Sequence, residues 1–200
     1  MPASEISNPP KEGLRERKRR ETLQRITDAG MCLFLEKGYE ATTLDDIAAA
    51  ADISRRTFFY YFKSKDDILL SLQSGMGEMI TGALRAETPD KRPLDAVRDA
   101  VIKACAHVPA DEMIAIDRLM RSSEAVQARK QASYIQHEKA LFEALRERWP
   151  APERETGLRL VAMLSIGAIR LSFEALNREG GKRPVTALLQ EAFDALKAET

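Results

Sequence analysis

Three helix-start signals fall within residues 42–64, and they constrain the fold more than anything else in the chain. Thr42-Thr43 precedes the stripe Leu44, Ile47, Ala48 and Ala51, with Asp45 and Asp46 in the first turn. Ser54 precedes Arg55, and Ser64 precedes Asp66 and Asp67. A hydroxyl at an N-cap accepts an N–H that the first turn leaves unbonded, and acidic residues there complement the helix dipole. No single long helix fits between such closely spaced caps. The segment must form two very short helices joined by a turn at Asp52-Ile53. Helices this short are not stable alone, so they need a partner. The upstream stripe Leu23, Ile26, Gly30, Leu33 and Phe34 supplies a longer helix, which Gly38 ends with Lys37 beside its last carbonyls. This is the pattern of a helix-turn-helix.

The rest also reads as helix, with breaks at Pro89 and Pro93, at Pro150 and Pro152, and at Gly180-Gly181. Helices are expected near 65–86, 93–107, 111–122, 124–148, 153–178 and 185–198, giving an all-α fold of about nine helices. Three regions follow: a flexible arm over 1–13, a helix-turn-helix domain over 14–65, and a longer helical domain over 66–200. Hydrophobic residues make up 44% of the chain, enough for a sizeable core.

The third helix carries Arg55, Arg56, Thr57, Phe59, Tyr60 and Tyr61 around a short inward face of Phe58 and Phe62. Arginine forks match guanine edges and phosphates, hydroxyls bond phosphate oxygens, and aromatic faces meet thymine methyls. Upstream, residues 11–25 hold seven basic and three acidic side chains. Net charge over the whole chain is zero, which excludes a uniformly basic coat but not a local patch.

Over Arg19 to Leu69 the chain resembles the DNA-binding domain of the tetracycline-repressor (TetR) family of bacterial transcriptional regulators. Phe34, Gly38-Tyr39, Thr42-Thr43, Asp46-Ile47-Ala48, Ala51, Ser54, Thr57, Phe62, Ser64-Lys65 and Leu69 carry the resemblance. It implies a homodimer whose paired recognition helices enter successive major grooves of a pseudo-palindromic, double-stranded operator. It also implies a C-terminal helical domain that binds a small organic effector, and so assigns DNA binding to 14–65 and effector binding and dimerisation to 66–200. Carried over by position, Thr43 caps the second helix and touches phosphate, with Leu44 offering its N–H. Ser54 caps the recognition helix. Arg55, Arg56 and Tyr60 face bases or nearby phosphates, while Thr57, Tyr61 and Lys65 hold the backbone. Arg17, Lys18 and Arg19 belong to an arm that reaches the minor groove. Two positions depart from the family pattern: Phe59 stands where tyrosine is usual, and Asp52 where the turn usually has glycine.

The helix at 153–178 is apolar over more of its girth than a one-faced helix requires. One stripe is Val161, Leu164, Ala168, Leu171 and Ala175; the other is Leu158, Ala162, Ile166, Ile169, Phe173 and Leu176. The first stripe, with Leu188, Leu189, Ala192, Phe193 and Leu196 of the last helix, is expected at a symmetric dimer interface. Methionines and aromatics at helical spacing are more often core than pocket; for the effector cavity that the resemblance implies, the candidates in the middle helices are Met79, Cys105, His107, Met120, Tyr134, His137 and Phe142.

Other functions find no footing. No nucleophile–base arrangement and no phosphate-cradling glycine loop occurs, so an enzyme is not expected. Cys32, Cys105, His107 and His137 make no metal-ligand spacing, and no cofactor is called for. The cysteines read as free, buried thiols of a cytoplasmic protein. No window of about 18 apolar residues is expected, and so no helix that spans a membrane, and the polar N-terminus lacks a signal-peptide core. A nonspecific DNA-binding or interaction module without an effector is the alternative reading.

Overall fold

The computed structural model describes residues 13–88, 90–121 and 124–199, so most of the expected arm lies outside the described residues. The chain divides into two compact units, one ending at Ile68 and one beginning at Leu69.

In the first unit, α1 spans Leu14–Lys37, α2 Leu44–Ala50 and α3 Arg55–Tyr61, and α4 (Lys65–Ala86) begins there. α2 packs on α1 and α3 on α2. Ile26, Phe34, Tyr39, Ile47, Ala48, Ala51, Phe58, Phe62 and Ile68 form the buried set. Gly30 permits the close approach of α4: a Cβ there would lie 2.8 Å from Ile68 Cδ1. Gly38 follows α1 at φ 87°, and its N–H donates to the Phe34 carbonyl. Asp52 occupies the left-handed region at φ 52°. Its short side chain tolerates that conformation better than most.

Cys32 corrects the expectation of two buried thiols, because it is exposed and donates to Glu36 Oε1 at 3.2 Å. Ile26, Gly30 and Phe34 set the inward face of α1. Cys32 lies two residues from both Gly30 and Phe34, about 200° around a helix from each. Leu23 is likewise exposed rather than in the stripe's core.

In the second unit, α5 spans Pro93–Cys105, α6 Ala110–Met120, α7 Glu124–Arg148, α8 Glu155–Arg178 and α9 Val185–Glu199. A 3-10 turn at Pro152–Arg154 leads into α8. Each helix lies within a few residues of its expected bounds. α8 packs against α7 and α9, and α5 against α8 and α9. Their buried side chains include Val97, Val101, Leu141, Leu145, Leu158, Leu176, Leu189 and Phe193.

The segment Pro152–Arg178 is, by length and composition, apolar enough to cross a membrane. This corrects the expectation that no such apolar window exists, since isolated polar residues such as Ser165 barely lower the mean hydropathy of the segment. The apolarity has another explanation in the fold: Leu158, Ala162, Ala168 and Leu176 are buried in the domain's own core.

Candidate functional site

Local bonding fixes the two short helices. Thr43 Oγ1 accepts the Asp46 N–H at 3.1 Å, and Asp46 Oδ2 accepts the Thr43 N–H at 2.9 Å. This reciprocal cap satisfies two donors at once. The backbone and then the hydroxyl hydrogen bond from Thr43 hold the Asp46 carboxyl below its ordinary range. Ser54 Oγ accepts the Thr57 N–H at 3.1 Å. Phe58 and Phe62 point inward and are buried, anchoring α3 from beneath.

That anchoring turns the remaining side chains of α3 outward. Tyr60 is 74% exposed and Phe59 48%. Arg55 and Arg56 are exposed, while Thr57 and Tyr61 are half-buried. Arg55 Nη1 lies 3.3 Å from Asp45 Oδ2, tying the starts of α2 and α3 together. Its guanidinium also lies over the Phe59 ring. Arg56 and Tyr60, one helical turn apart, both face outward, with the Tyr60 ring edge-on to Tyr61 at 5.1 Å between centroids. Arg17, Lys18 and Arg19 are exposed near the start of α1, with Arg17 Nε 3.4 Å from Glu21. Cations there oppose the helix dipole.

Lys65 has a different position from the one expected. Its ammonium donates to the carbonyl oxygens of Tyr39 at 2.7 Å and Thr42 at 3.2 Å, and sits over the Tyr39 ring. It clasps the α1–α2 loop instead of reaching outward. Sequence spacing gave no sign of this, because the loop lies more than twenty residues upstream.

In the second unit, helices α4, α6, α7 and α8 line a cavity of about 190 Å³. Leu72, Ile80, Val108, Met113, Ile116, Met120, Leu141, Ile166, Ile169 and Phe173 give it a mostly apolar wall. Of the expected pocket residues, Met120, Tyr134 and His137 meet here. The other four do not. Met79 and His107 are exposed, and Cys105 and Phe142 are packed into the core. Burial pushes the Cys105 thiol up to about 11 and lowers the His137 pKa, favouring neutral imidazole. A Cβ on Gly77 would stand 3.1 Å from His137 Cδ2, so this glycine lets α4 and α7 approach closely.

Polar groups missed by sequence reasoning complete the wall: Thr81, Asp117, Lys130 and Arg170. Asp117 accepts from Lys130 Nζ at 2.5 Å and from Arg121 Nε at 2.6 Å. Burial raises its pKa, but those two cations outweigh burial and hold the carboxyl below the usual range.

α8 also carries a second apolar face. Leu160, Met163, Leu164 and Leu171 are 41–63% exposed. With half-buried Gly167 they follow three- and four-residue steps along one side of the helix. The expected interface set is therefore split. Leu164 and Leu171 are on this face, and Val161, Ala175, Ala192 and Leu196 are half-buried. Ala168, Leu188, Leu189 and Phe193 are spent in the domain's own core.

Residues 26–72 match the family profile described as bacterial regulatory proteins, tetR family, and residues 91–200 that of the MftR C-terminal domain. The chain belongs to the TetR family. Members of this family are DNA-binding transcriptional regulators, not enzymes. The HTH-type transcriptional regulator TcmR of Streptomyces glaucescens is 35% identical over 111 residues, 56% of this chain and 49% of TcmR. IcaR of Staphylococcus aureus, a negative transcriptional regulator of the biofilm operon icaADBC, is 48% identical over 44 residues. Those residues are 22% of this chain and 24% of IcaR. The matched stretches thus span about half and a quarter of these curated relatives. Among solved structures, the TetR-family repressor FadR of Thermus thermophilus, in complex with lauroyl-CoA, shares the fold. Its TM-score is 0.51 at 24% identity, covering 87% of this chain and 92% of FadR.

Proposed function

We propose that this TetR-family chain is a ligand-responsive repressor that acts in the cytoplasm, binds a pseudo-palindromic operator as a homodimer and leaves it when a small organic effector binds. The observation that carries the reading is α3 itself. Two buried phenylalanines and a serine cap fix a seven-residue helix whose Arg56 and Tyr60 point to solvent. One such helix reads few bases; two, spaced by roughly one DNA turn, multiply the discrimination. The exposed face of α8 supplies an apolar surface for the second copy.

The cavity gives the effector a place. α4 lines it through Leu72, Gly77, Ile80 and Thr81, and the same helix begins at Lys65 in the DNA-binding unit. A ligand that favours one position of α4 changes the separation of the two recognition helices. It acts only through its differential affinity for the two spacings. The negative regulator IcaR and the lauroyl-CoA-bound repressor FadR support the repressor and effector parts of the reading.

The test is fluorescence anisotropy with DNA from the chain's own promoter region against scrambled DNA. The expected result is preference for the promoter fragment. If the dimer neutralises about eight phosphates, log affinity falls with log salt at a slope near −7. Tyr60→Ala should lose affinity while remaining dimeric. A slope near zero overturns DNA binding, and equal affinity for both fragments favours a nonspecific module.

A further inference from the structure

The cavity in the second unit contains one charge that the fold leaves uncompensated. Arg170 lines it from α8 and is half-buried. Its guanidinium carbon lies 4.7 Å from the centroid of the Tyr134 ring. Among the described residues no carboxylate lies within ion-pair distance of it. Lys130, the other cation in the wall, is already paired with Asp117 at 2.5 Å. Asp117 holds Arg121 as well, and Glu174 exerts its field on Arg121. Two carboxylates therefore face three cations, and Arg170 is the one without an acidic partner. Burial keeps His137 neutral, so it adds no second charge.

A half-buried guanidinium in an apolar wall is costly unless something pairs with it. The aromatic face of Tyr134 offsets part of that cost but gives the five N–H donors of the fork no carboxylate, and among the described residues none of them has a protein hydrogen-bond partner. The group that matches a planar fork is a carboxylate, which accepts two parallel hydrogen bonds. Apart from Thr81, His137 and the paired Asp117 and Lys130, the rest of the wall is aliphatic, thioether and aromatic, suited to a hydrocarbon body, and the Asp117 carboxylate is already held by two cations.

We infer that the effector cavity takes a hydrophobic carboxylate, with an apolar chain or ring buried among Ile80, Met113, Met120 and Phe173 and its carboxylate on Arg170. This rests on the reading of the cavity as an effector site and specifies the chemistry of the occupant. A neutral molecule leaves the fork unpaired, and a cationic one opposes it.

The test uses the full-length protein and three probes of one chain length: decanoate, decanol and decylamine. Binding is measured by titration calorimetry and by thermal shift, without DNA. Charge-assisted hydrogen bonding predicts that decanoate binds roughly 10–100-fold more tightly than decanol. Decylamine is expected to bind weakest. Arg170→Met, which keeps the apolar length, should make decanoate and decanol equal without weakening decanol. Arg170→Lys should keep part of the preference, because the charge remains and the fork is lost. Arg146→Met, which removes an exposed cation outside the cavity wall, should leave the preference in place.

Equal binding of decanoate and decanol to the unsubstituted protein overturns the inference, as does no binding of decanoate. An undiminished preference in Arg170→Met overturns it too. Should Arg170→Met not fold, the three-probe series and Arg170→Lys still decide. Promoter binding is measured separately. Specific DNA binding with no carboxylate preference sinks this inference and spares the regulator reading; the reverse result does the opposite.

Discussion

Asp52 is held at φ 52° in the turn between α2 and α3, where most L-residues are strained by about 1–2 kcal/mol. Glycine adopts this conformation without the Cβ clash but loses more entropy on folding. Asp52→Gly should therefore raise the stability of the DNA-binding unit by roughly 0.5–1 kcal/mol, read as a shift in the urea midpoint. The two thiols give a second expectation. Cys32 is exposed, whereas Cys105 is 2% exposed and pushed up to about 11. In Ellman's assay one thiol per chain should react in the native protein and both in denaturant. Two reactive native thiols would contradict the packing of α5. The caps at Thr43 and Ser54 were legible in the sequence because a cap is settled within three residues. The side of α1 that Cys32 occupies was not, because an apolar residue in an apolar stretch does not reveal the helix phase. The post of Lys65 was hidden for a further reason: its carbonyl partners come from a loop that only tertiary folding brings near.

At the scale of elements, α6 and α7 are joined through Asp117 and Lys130, whose side chains are 9% and 19% exposed. Removing one partner of a buried pair leaves the other uncompensated, at about 3–5 kcal/mol when burial is complete. Lys130 borders a cavity and Arg121 is exposed, so Asp117→Ala should cost roughly 2–4 kcal/mol, somewhat below that range. Guanidinium unfolding of the second unit checks it. The pH dependence has a definite sign. The Asp117 pKa is lowered on folding, so its contribution is complete above the unfolded value of about 3.9 and is lost as pH falls through the lower folded value. Asp117→Asn should accordingly flatten the fall in stability below about pH 4. Helix positions and most bounds were legible from stripes, prolines and glycines. The cavity was only partly so, because its wall draws on four helices and the connection at Val108. Met120, Tyr134 and His137 stood out as chemically distinctive, but Arg170 depends on the rotation of α8 about its axis. That rotation was misplaced by part of a turn, which also assigned Ala168 to the dimer face although it is buried in the core.

For the molecule as a whole, the decisive question is which apolar residues serve the domain and which serve a partner. Leu171 is 63% exposed and Leu188 only 3%, although both lie in the apolar stripes of the last two helices. A charge at each position should therefore fail differently. Leu171→Glu should leave the unfolding midpoint of the subunit nearly unchanged and convert the dimer to monomer by light scattering. Leu188→Glu buries an unpaired carboxylate beside α8 and should unfold the second unit at any concentration. The operator separates these cases again. Two linked recognition helices gain roughly 10²–10⁴ in affinity over one, so a folded Leu171→Glu monomer should lose promoter binding by about that factor. Adding salt then distinguishes a lost half from a lost interface. A single bound subunit neutralises about half the phosphates, and the salt slope should drop from near −7 to roughly −3 or −4. A Leu171→Glu protein that stays dimeric and keeps the full slope would move the interface away from this face of α8.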